Sequence, residues 1–153
     1  MKNHRHRVQM IGLGILAACL LIAALPYSAV AESPDDIVVF VNPSSRVAEM
    51  TKAELRQLFL KQKTTWSSGE AVVCINAPSS SELRKQFRSI VMEMSETEEA
   101  THWANARIRS QVSPPAEMVN TPKAVFRLKN AVSYAFRKNV PPGVVKIVLV
   151  LSK

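Results

Sequence analysis

Apolar residues follow two patterns along this chain: short continuous runs, and longer stretches in which they recur every three or four positions. The runs at 37–41, 71–75, 132–136 and 144–151 are bounded by polar, Pro or Gly residues and predict buried strands. The stretches between them have helical spacing. This alternation predicts an α/β domain with a mixed or parallel sheet flanked by helices on both faces.

Four helices are predicted from their capping signals. Thr51 and Glu54 form a capping box ahead of a helix at about 52–61, and Ser79 and Glu82 form a second box. A third helix opens after Ser95, and Thr121-Pro122 opens a fourth. The apolar face of the second helix is expected to comprise Leu83, Phe87, Ile90, Val91 and Met94, and that of the third Ala100, Trp103, Ala104 and Ile108.

The first 31 residues have the pattern of an export signal. A basic start is followed by an uncharged apolar run at 10–25 and by Ala29-Val30-Ala31 before Glu32. We therefore expect residues 1–31 to be a signal peptide, and residues 32–153 to form a single domain in the periplasm or outside the cell. The alternative is an uncleaved anchor, because the apolar run approaches the length of a membrane-spanning helix.

The two cysteines bear on processing and on the core. Leu16-Ala17-Ala18-Cys19 resembles a lipobox, but the apolar residues 20–22 that follow favour a cleaved signal peptide over a lipoprotein anchored through Cys19. Cys74 then remains as the only cysteine of the mature chain, so no intramolecular disulfide can form. Its apolar neighbours predict that Cys74 is buried and unreactive.

Composition and charge indicate an ordinary globular domain. The 153 residues include 20 Lys and Arg, 12 Asp and Glu, and 47% hydrophobic residues, which excludes a disordered polycation, a collagen and a disulfide-rich miniprotein. Without the three basic residues of the signal segment, 17 basic and 12 acidic residues leave a charge of +5. The basic residues are spread over all predicted helices and the aromatic residues have core spacing, so nucleic-acid binding is not expected.

Catalytic constellations are absent from the sequence. Residues 32–153 contain one histidine, His102, and no nucleophile elbow, metalloprotease motif or Gly-rich phosphate loop. His102 and Cys74 are too few to hold a metal ion. The sequence therefore predicts a protein that is not an enzyme and has no metal or cofactor.

One segment has the chemistry of an anion site. Pro78-Ser79-Ser80-Ser81 leads from a predicted strand into a helix that bears Arg84, Lys85 and Arg88. Backbone N–H groups at a helix start, serine hydroxyls and guanidinium groups together suit an oxyanion. The simpler interpretation is that the serines only cap the helix.

The order of motifs resembles the phosphate-binding proteins of bacterial phosphate ABC transporters, in the type II periplasmic binding protein superfamily. The similar segments are 39–43 (VFVNP), 51–60 (TKAELRQLFL), 63–66 (KTTW) with Gly69, 79–84 (SSSELR) with Phe87, and 131–134 (AVSY). Segment 79–81 stands where the family has Ser-Gly-Thr before a helix. Together the segments span nearly the whole mature chain.

This resemblance implies one lobe of a two-lobed clamp, because only five residues separate Ala31 from the first strand. It implies binding of phosphate or a similar oxyanion by Ser79, Ser80 and Ser81, with Arg84 as a charge partner and Ser44 as a further candidate. An ABC permease, a second lobe or a second copy are the implied partners. The alternative function is an envelope adaptor that reuses the lobe as an interaction module without a small ligand.

Overall fold

The computed structural model describes residues 32–151, which lie within a unit that extends from residue 31 to residue 153. The predicted signal peptide, its cleavage site and Cys19 lie outside the described residues. Within the described range, none of the helices combines the length and the apolar character needed to cross a membrane.

Within residues 32–151, five strands form one mixed sheet in the order β3-β2-β4-β1-β5. β2 runs parallel to β3 and β4, whereas β1 lies antiparallel between β4 and β5. The sheet is therefore parallel at one side and antiparallel at the other. The strands are β1 (Ile37–Val41), β2 (Val73–Asn76), β3 (Ala116–Glu117), β4 (Ala131–Phe136) and β5 (Lys146–Leu151).

In the described part of the chain, four α-helices connect the strands. α2 continues without a break into a single π-helical turn, Arg88–Met92, which ends where Glu93 adopts a left-handed conformation. A short 3₁₀ turn, Arg137–Asn139, follows β4. The helices are α1 (Lys52–Phe59), α2 (Glu82–Phe87), α3 (Glu96–Ser110) and α4 (Thr121–Arg127).

The inner strand β1, between β4 and β5, is apolar on both sides, because both faces of the sheet are covered. Its odd-numbered residues belong to the larger core cluster and its even-numbered residues to the smaller one. The larger cluster includes side chains of α1, the α2 helix with its π-helical turn, and α3. The smaller cluster includes Val125 of α4. We call the two sides the α1–α3 face and the α4 face.

Three aromatic rings occupy the centre of the α1–α3 face. Phe87 stacks on Tyr134 with 3.6 Å between ring centroids, and Phe59 contacts the edges of both. All three side chains are fully buried. They join α1, α2 and β4 into one layer.

Polar side chains hold α4 against the other face. At its start, the hydroxyl of Thr121 donates to the backbone oxygen of Tyr134 at 3.0 Å. At its end, the side-chain amide of Asn42 donates to the backbone oxygens of Val125 and Phe126 at 3.0 and 2.8 Å. This helix of seven residues is therefore fixed at both ends.

The structure confirms the predicted α/β class, the four helices and the strand at 37–41. The capping box of Thr51 and Glu54 is present. Cys74 is buried as predicted; its thiol contacts the backbone oxygen of Leu58 at 3.4 Å, and burial raises its pKa to about 11. Burial in this way favours the unreactive thiol over the thiolate.

Two local predictions are wrong, and one strand was missed. The second helix begins two residues later than predicted, because Ser81 rather than Ser79 is the N-cap. Ala100, Ala104 and Ile108 do not form the inner face of α3; Ile108 is 81% exposed, and Glu99 and Trp103 point inward. The third strand, β3, was not predicted because two residues are too few to show an alternating pattern.

The aromatic cluster yields a stability prediction. Phe87→Ala should lower the free energy of unfolding by about 3–5 kcal/mol, because it removes a fully buried ring and leaves a cavity against Tyr134. Phe126→Ala is the matched control, since Phe126 is 56% exposed, and should cost less than about 1 kcal/mol. Urea denaturation measures both, and equal losses would contradict this placement of Phe87.

Candidate functional site

A cleft of about 460 Å³ lies at the edge of the sheet where the parallel strands β2, β3 and β4 end. In α/β folds, ligands bind in crevices at the carboxyl ends of parallel strands. Here the cleft is lined by the starts of two helices and by the segment after β4. Its lining includes Pro78, Ser81, Asn120, Thr121, Ala135 and Asn139.

The serine loop, residues 79–81, reaches this cleft at Ser81. The hydroxyl of Ser81 accepts from the backbone N–H of Arg84 at 3.1 Å and donates to the backbone oxygen of Pro78 at 2.7 Å. Ser80 is exposed. Within residues 32–151, no acceptor lies within hydrogen-bond distance of the backbone N–H groups of Ser80, Glu82 and Leu83. The loop therefore presents free donors to solvent.

A carboxylate already contacts the loop. Glu117, at the end of β3, accepts from the backbone N–H of Ser79 at 3.1 Å and from its hydroxyl at 3.4 Å. Sequence reasoning missed Glu117, because the two-residue strand that positions it has no pattern of its own. A bound anion has to share the loop with this negative charge or displace it.

Arg84 does not face the cleft. It is only 3% exposed, and its guanidinium group donates to Asn76, Glu99 and, at 3.4 Å, to the hydroxyl of Tyr134. Arg88 contacts the second carboxylate oxygen of Glu99 at 3.4 Å. We call Arg84, Arg88 and Glu99 the buried ion cluster. Because Arg84 is enclosed and paired, it anchors α2 to α3 rather than contacting a ligand at the loop.

The buried ion cluster continues into a hydrogen-bond network that fixes the start of the serine loop. The Tyr134 hydroxyl donates to Asn76 Oδ1 at 3.2 Å and accepts from the backbone N–H of Ala77 at 3.4 Å. Burial raises the pKa of Tyr134, and the nearby Arg84 opposes that rise. The Tyr134 hydroxyl therefore remains neutral and can donate to Asn76. Because it also accepts from the N–H of Ala77, it fixes the direction in which the chain leaves β2.

Ser44 lies at the opposite edge of the sheet from the serine loop. It follows β1, and β1 runs antiparallel to β4, while β2 runs parallel to β4. Ser44 lines a separate cavity of about 380 Å³ together with Arg46, Trp66 and Lys129. Its hydroxyl donates to Asn42 Oδ1 at 2.7 Å. Ser44 and the serine loop therefore cannot contact the same small anion.

The described residues offer no metal centre. No group of three or more His, Cys, Asp or Glu side chains within residues 32–151 is placed to hold an ion. His102 packs edge-on against Trp103 in α3, with 4.7 Å between ring centroids.

The buried ion cluster yields a second stability prediction. Glu99→Gln should lower the free energy of unfolding by about 3–5 kcal/mol, since it leaves two buried guanidinium groups without their shared anion. Glu96→Gln on the same helix is the control. Its side chain is 80% exposed and contacts Arg88 at 3.4 Å, so the loss should be about 1 kcal/mol or less. Thermal and urea denaturation measure the free energy of unfolding of both variants. Equal losses in the two variants would contradict the stabilising role of the buried ion cluster.

Comparison with solved structures finds the same fold in phosphate transport proteins. An ABC-type phosphate transport receptor from Vibrio cholerae matches 74% of this chain with a TM-score of 0.59 and 23% identity. A Clostridium perfringens protein assigned as a phosphate ABC transporter substrate-binding protein, solved with bound phosphate, matches the same share with a TM-score of 0.58 and 18% identity. PstS from Borrelia burgdorferi matches with a TM-score of 0.55 and 14% identity.

These matches cover 45%, 44% and 46% of the three proteins, so the chain spans less than half the length of each. No protein-family model and no curated protein sequence matches the chain. The comparisons thus show a shared fold: this chain is similar in structure to part of a phosphate transport receptor.

Proposed function

We propose that this protein is an exported oxyanion-binding protein whose ligand is phosphate or a similar anion. The observation that supports the proposal is the serine loop at the carboxyl edge of the sheet. It leaves the backbone N–H groups of Ser80, Glu82 and Leu83 and the exposed hydroxyl of Ser80 beside the cleft. Convergent backbone donors at a helix start suit a tetrahedral oxyanion.

The loop is held in place before any ligand arrives. Ser81 caps the helix, and Tyr134 and Asn76 fix the residues that enter the loop. A preorganised donor set loses less conformational entropy when it binds a ligand. The role of Arg84 in this proposal is to position α2, and Ser44 has no part in it.

The charges around the loop favour weak binding by the isolated domain. Glu117 contacts Ser79, Glu82 is exposed in the first turn of α2, and Lys85 is the exposed cation of that helix. The cleft is also open to solvent, so an anion would keep part of its hydration shell, and water weakens charge-assisted hydrogen bonds. A second surface that closes the cleft would strengthen binding.

We infer that this closing surface is supplied by a second lobe, a second copy of this chain or an ABC permease. The solved phosphate receptors are more than twice as long as the segment that matches this chain, which supports the inference that residues 32–153 form one lobe. Closure by a partner would expel water from the cleft and exclude competing solvent from the serine loop.

Phosphate titration of three variants tests the site. Ser80→Asp should weaken phosphate binding about tenfold or more, because it adds a negative charge beside the free N–H groups. Glu117→Gln should strengthen binding several-fold, since it removes the carboxylate that competes for Ser79. Isothermal titration calorimetry at low and moderate salt measures the affinities.

Ser67→Asp is the matched control, because Ser67 is exposed and lines the cavity at the opposite edge. It should leave the affinity for phosphate within about twofold of the unmodified protein. If Ser67→Asp abolishes binding while Ser80→Asp does not, the anion binds at the opposite edge. If no variant binds and the unmodified protein does not bind either, the proposed function is wrong.

Export makes a separate prediction. We propose that residues 1–31 are removed after Ala31 and that residues 32–153 act as one domain in the periplasm or outside the cell. Intact mass spectrometry of the protein recovered from the exported fraction should give an N-terminus at Glu32. A mature chain that starts at Cys19 with an added lipid mass would instead establish a lipoprotein, and a mass that includes residue 1 would establish an uncleaved anchor.

A further inference from the structure

Exposed apolar side chains are concentrated on one side of the protein. Of the eight large hydrophobic residues that are most exposed within residues 32–151, only Ile108 lies on a helix of the α1–α3 face. The others belong to α4, to the segments just before and just after it, or to strand positions on the α4 face. They are Val73, Met118, Val119, Phe126, Leu128, Ile147 and Val150.

The strand register places three of these residues on the α4 face. Ile147 and Val150 of β5 pair with Phe40 and Val38, which belong to the α4-side core. Val73 immediately precedes Cys74, which belongs to the α1–α3 core, so Val73 points the opposite way. One helix of seven residues cannot cover five strands, and apolar groups remain uncovered on both sides of α4.

A shallow groove of about 440 Å³ runs beside α4 on this face. Met118, Ala124 and Leu128 form its apolar part, and Lys123 and Arg127 lie next to them on one side of the helix. Among the described residues, neither cation has an acidic side chain within ion-pair distance, whereas Lys52 and Arg56 share Glu93. The α4 face thus combines exposed apolar groups with positive charge that the protein itself leaves unneutralised.

We propose that the α4 face docks on the surface of a membrane that contains anionic phospholipids. Lys123 and Arg127 suit lipid phosphate groups, while Phe126 and Val119 suit the boundary between headgroups and acyl chains. The positive pair disfavours a symmetric contact between two copies of this face, because like charges would meet. Phe126 and Val119, 56% and 92% exposed, project outward, and a fluid lipid surface accommodates such groups without matched shape.

Docking in this way fixes where the candidate anion site would lie. Asn120 lines both the groove and the cleft at the carboxyl edge. The serine loop would therefore stand close to the lipid surface, on the side where a membrane-embedded partner could reach it. The docking proposal does not depend on phosphate binding, and either can fail without the other.

Vesicle co-sedimentation tests the proposal. The unmodified protein should bind vesicles of phosphatidylcholine with about 30% phosphatidylglycerol at least about fivefold better than pure phosphatidylcholine vesicles, and less at high salt. Lys123→Glu with Arg127→Glu should lower binding about fivefold or more, and Phe126→Ser about threefold. All proteins are produced in one host and verified by intact mass to share one N-terminus, so residues 1–31 cannot cause the differences.

Lys63→Glu with Arg109→Glu is the charge-matched control. Both residues lie outside the groove, on segments that follow α1 and end α3, and neither forms an ion pair among the described residues. This control should retain more than about half of the binding. The proposal is overturned if the unmodified protein does not bind the anionic vesicles, or if the control loses as much as the groove variant. Circular dichroism and urea unfolding verify that each variant is folded.

Discussion

The neutralisation of Arg84 inside the protein is the constraint on which the rest of this structure depends. A guanidinium group that is 3% exposed needs an anion and hydrogen-bond acceptors nearby, because isolated buried charge is very unfavourable. Glu99 of α3 supplies the anion, Asn76 of β2 supplies an acceptor, and the hydroxyl of Tyr134 on β4 lies beside them. Four elements are thereby held in register around one charge, and the serine loop begins directly after Asn76.

The two faces of the sheet are consequently unequal. The face that contains the buried ion cluster is covered by three helices and by a tight group of aromatic rings. The other face has one short helix, a smaller core and uncovered apolar side chains at its margins. This asymmetry separates a side that is covered by three helices from a side that is suited to contacts outside the chain.

Much of this fold could be predicted from the sequence, because its main signals are local. The run at 37–41 is apolar at every position, which indicates a strand buried on both faces, and Thr51 with Glu54 is a capping box. Glu99 and Arg84 could not be recognised as buried, since charged residues on helices are usually solvated and their pairing joins residues fifteen positions apart. The locations of Glu117 and Ser44 could not be predicted either, because they depend on the order and direction of the strands.

The way in which β2 and β4 are joined changes along their length. Main-chain pairing between them covers only Val73 with Ala131 and Cys74 with Val132. Beyond that point hydroxyl groups bridge the strands: Ser133 donates to the backbone oxygen of Ile75 at 2.7 Å, and Tyr134 accepts from the N–H of Ala77. A side chain between two backbones holds them further apart than a direct main-chain bond. The two strands are therefore joined by main chain at one end and, at the end next to the cleft, by the hydroxyl groups of two residues of β4.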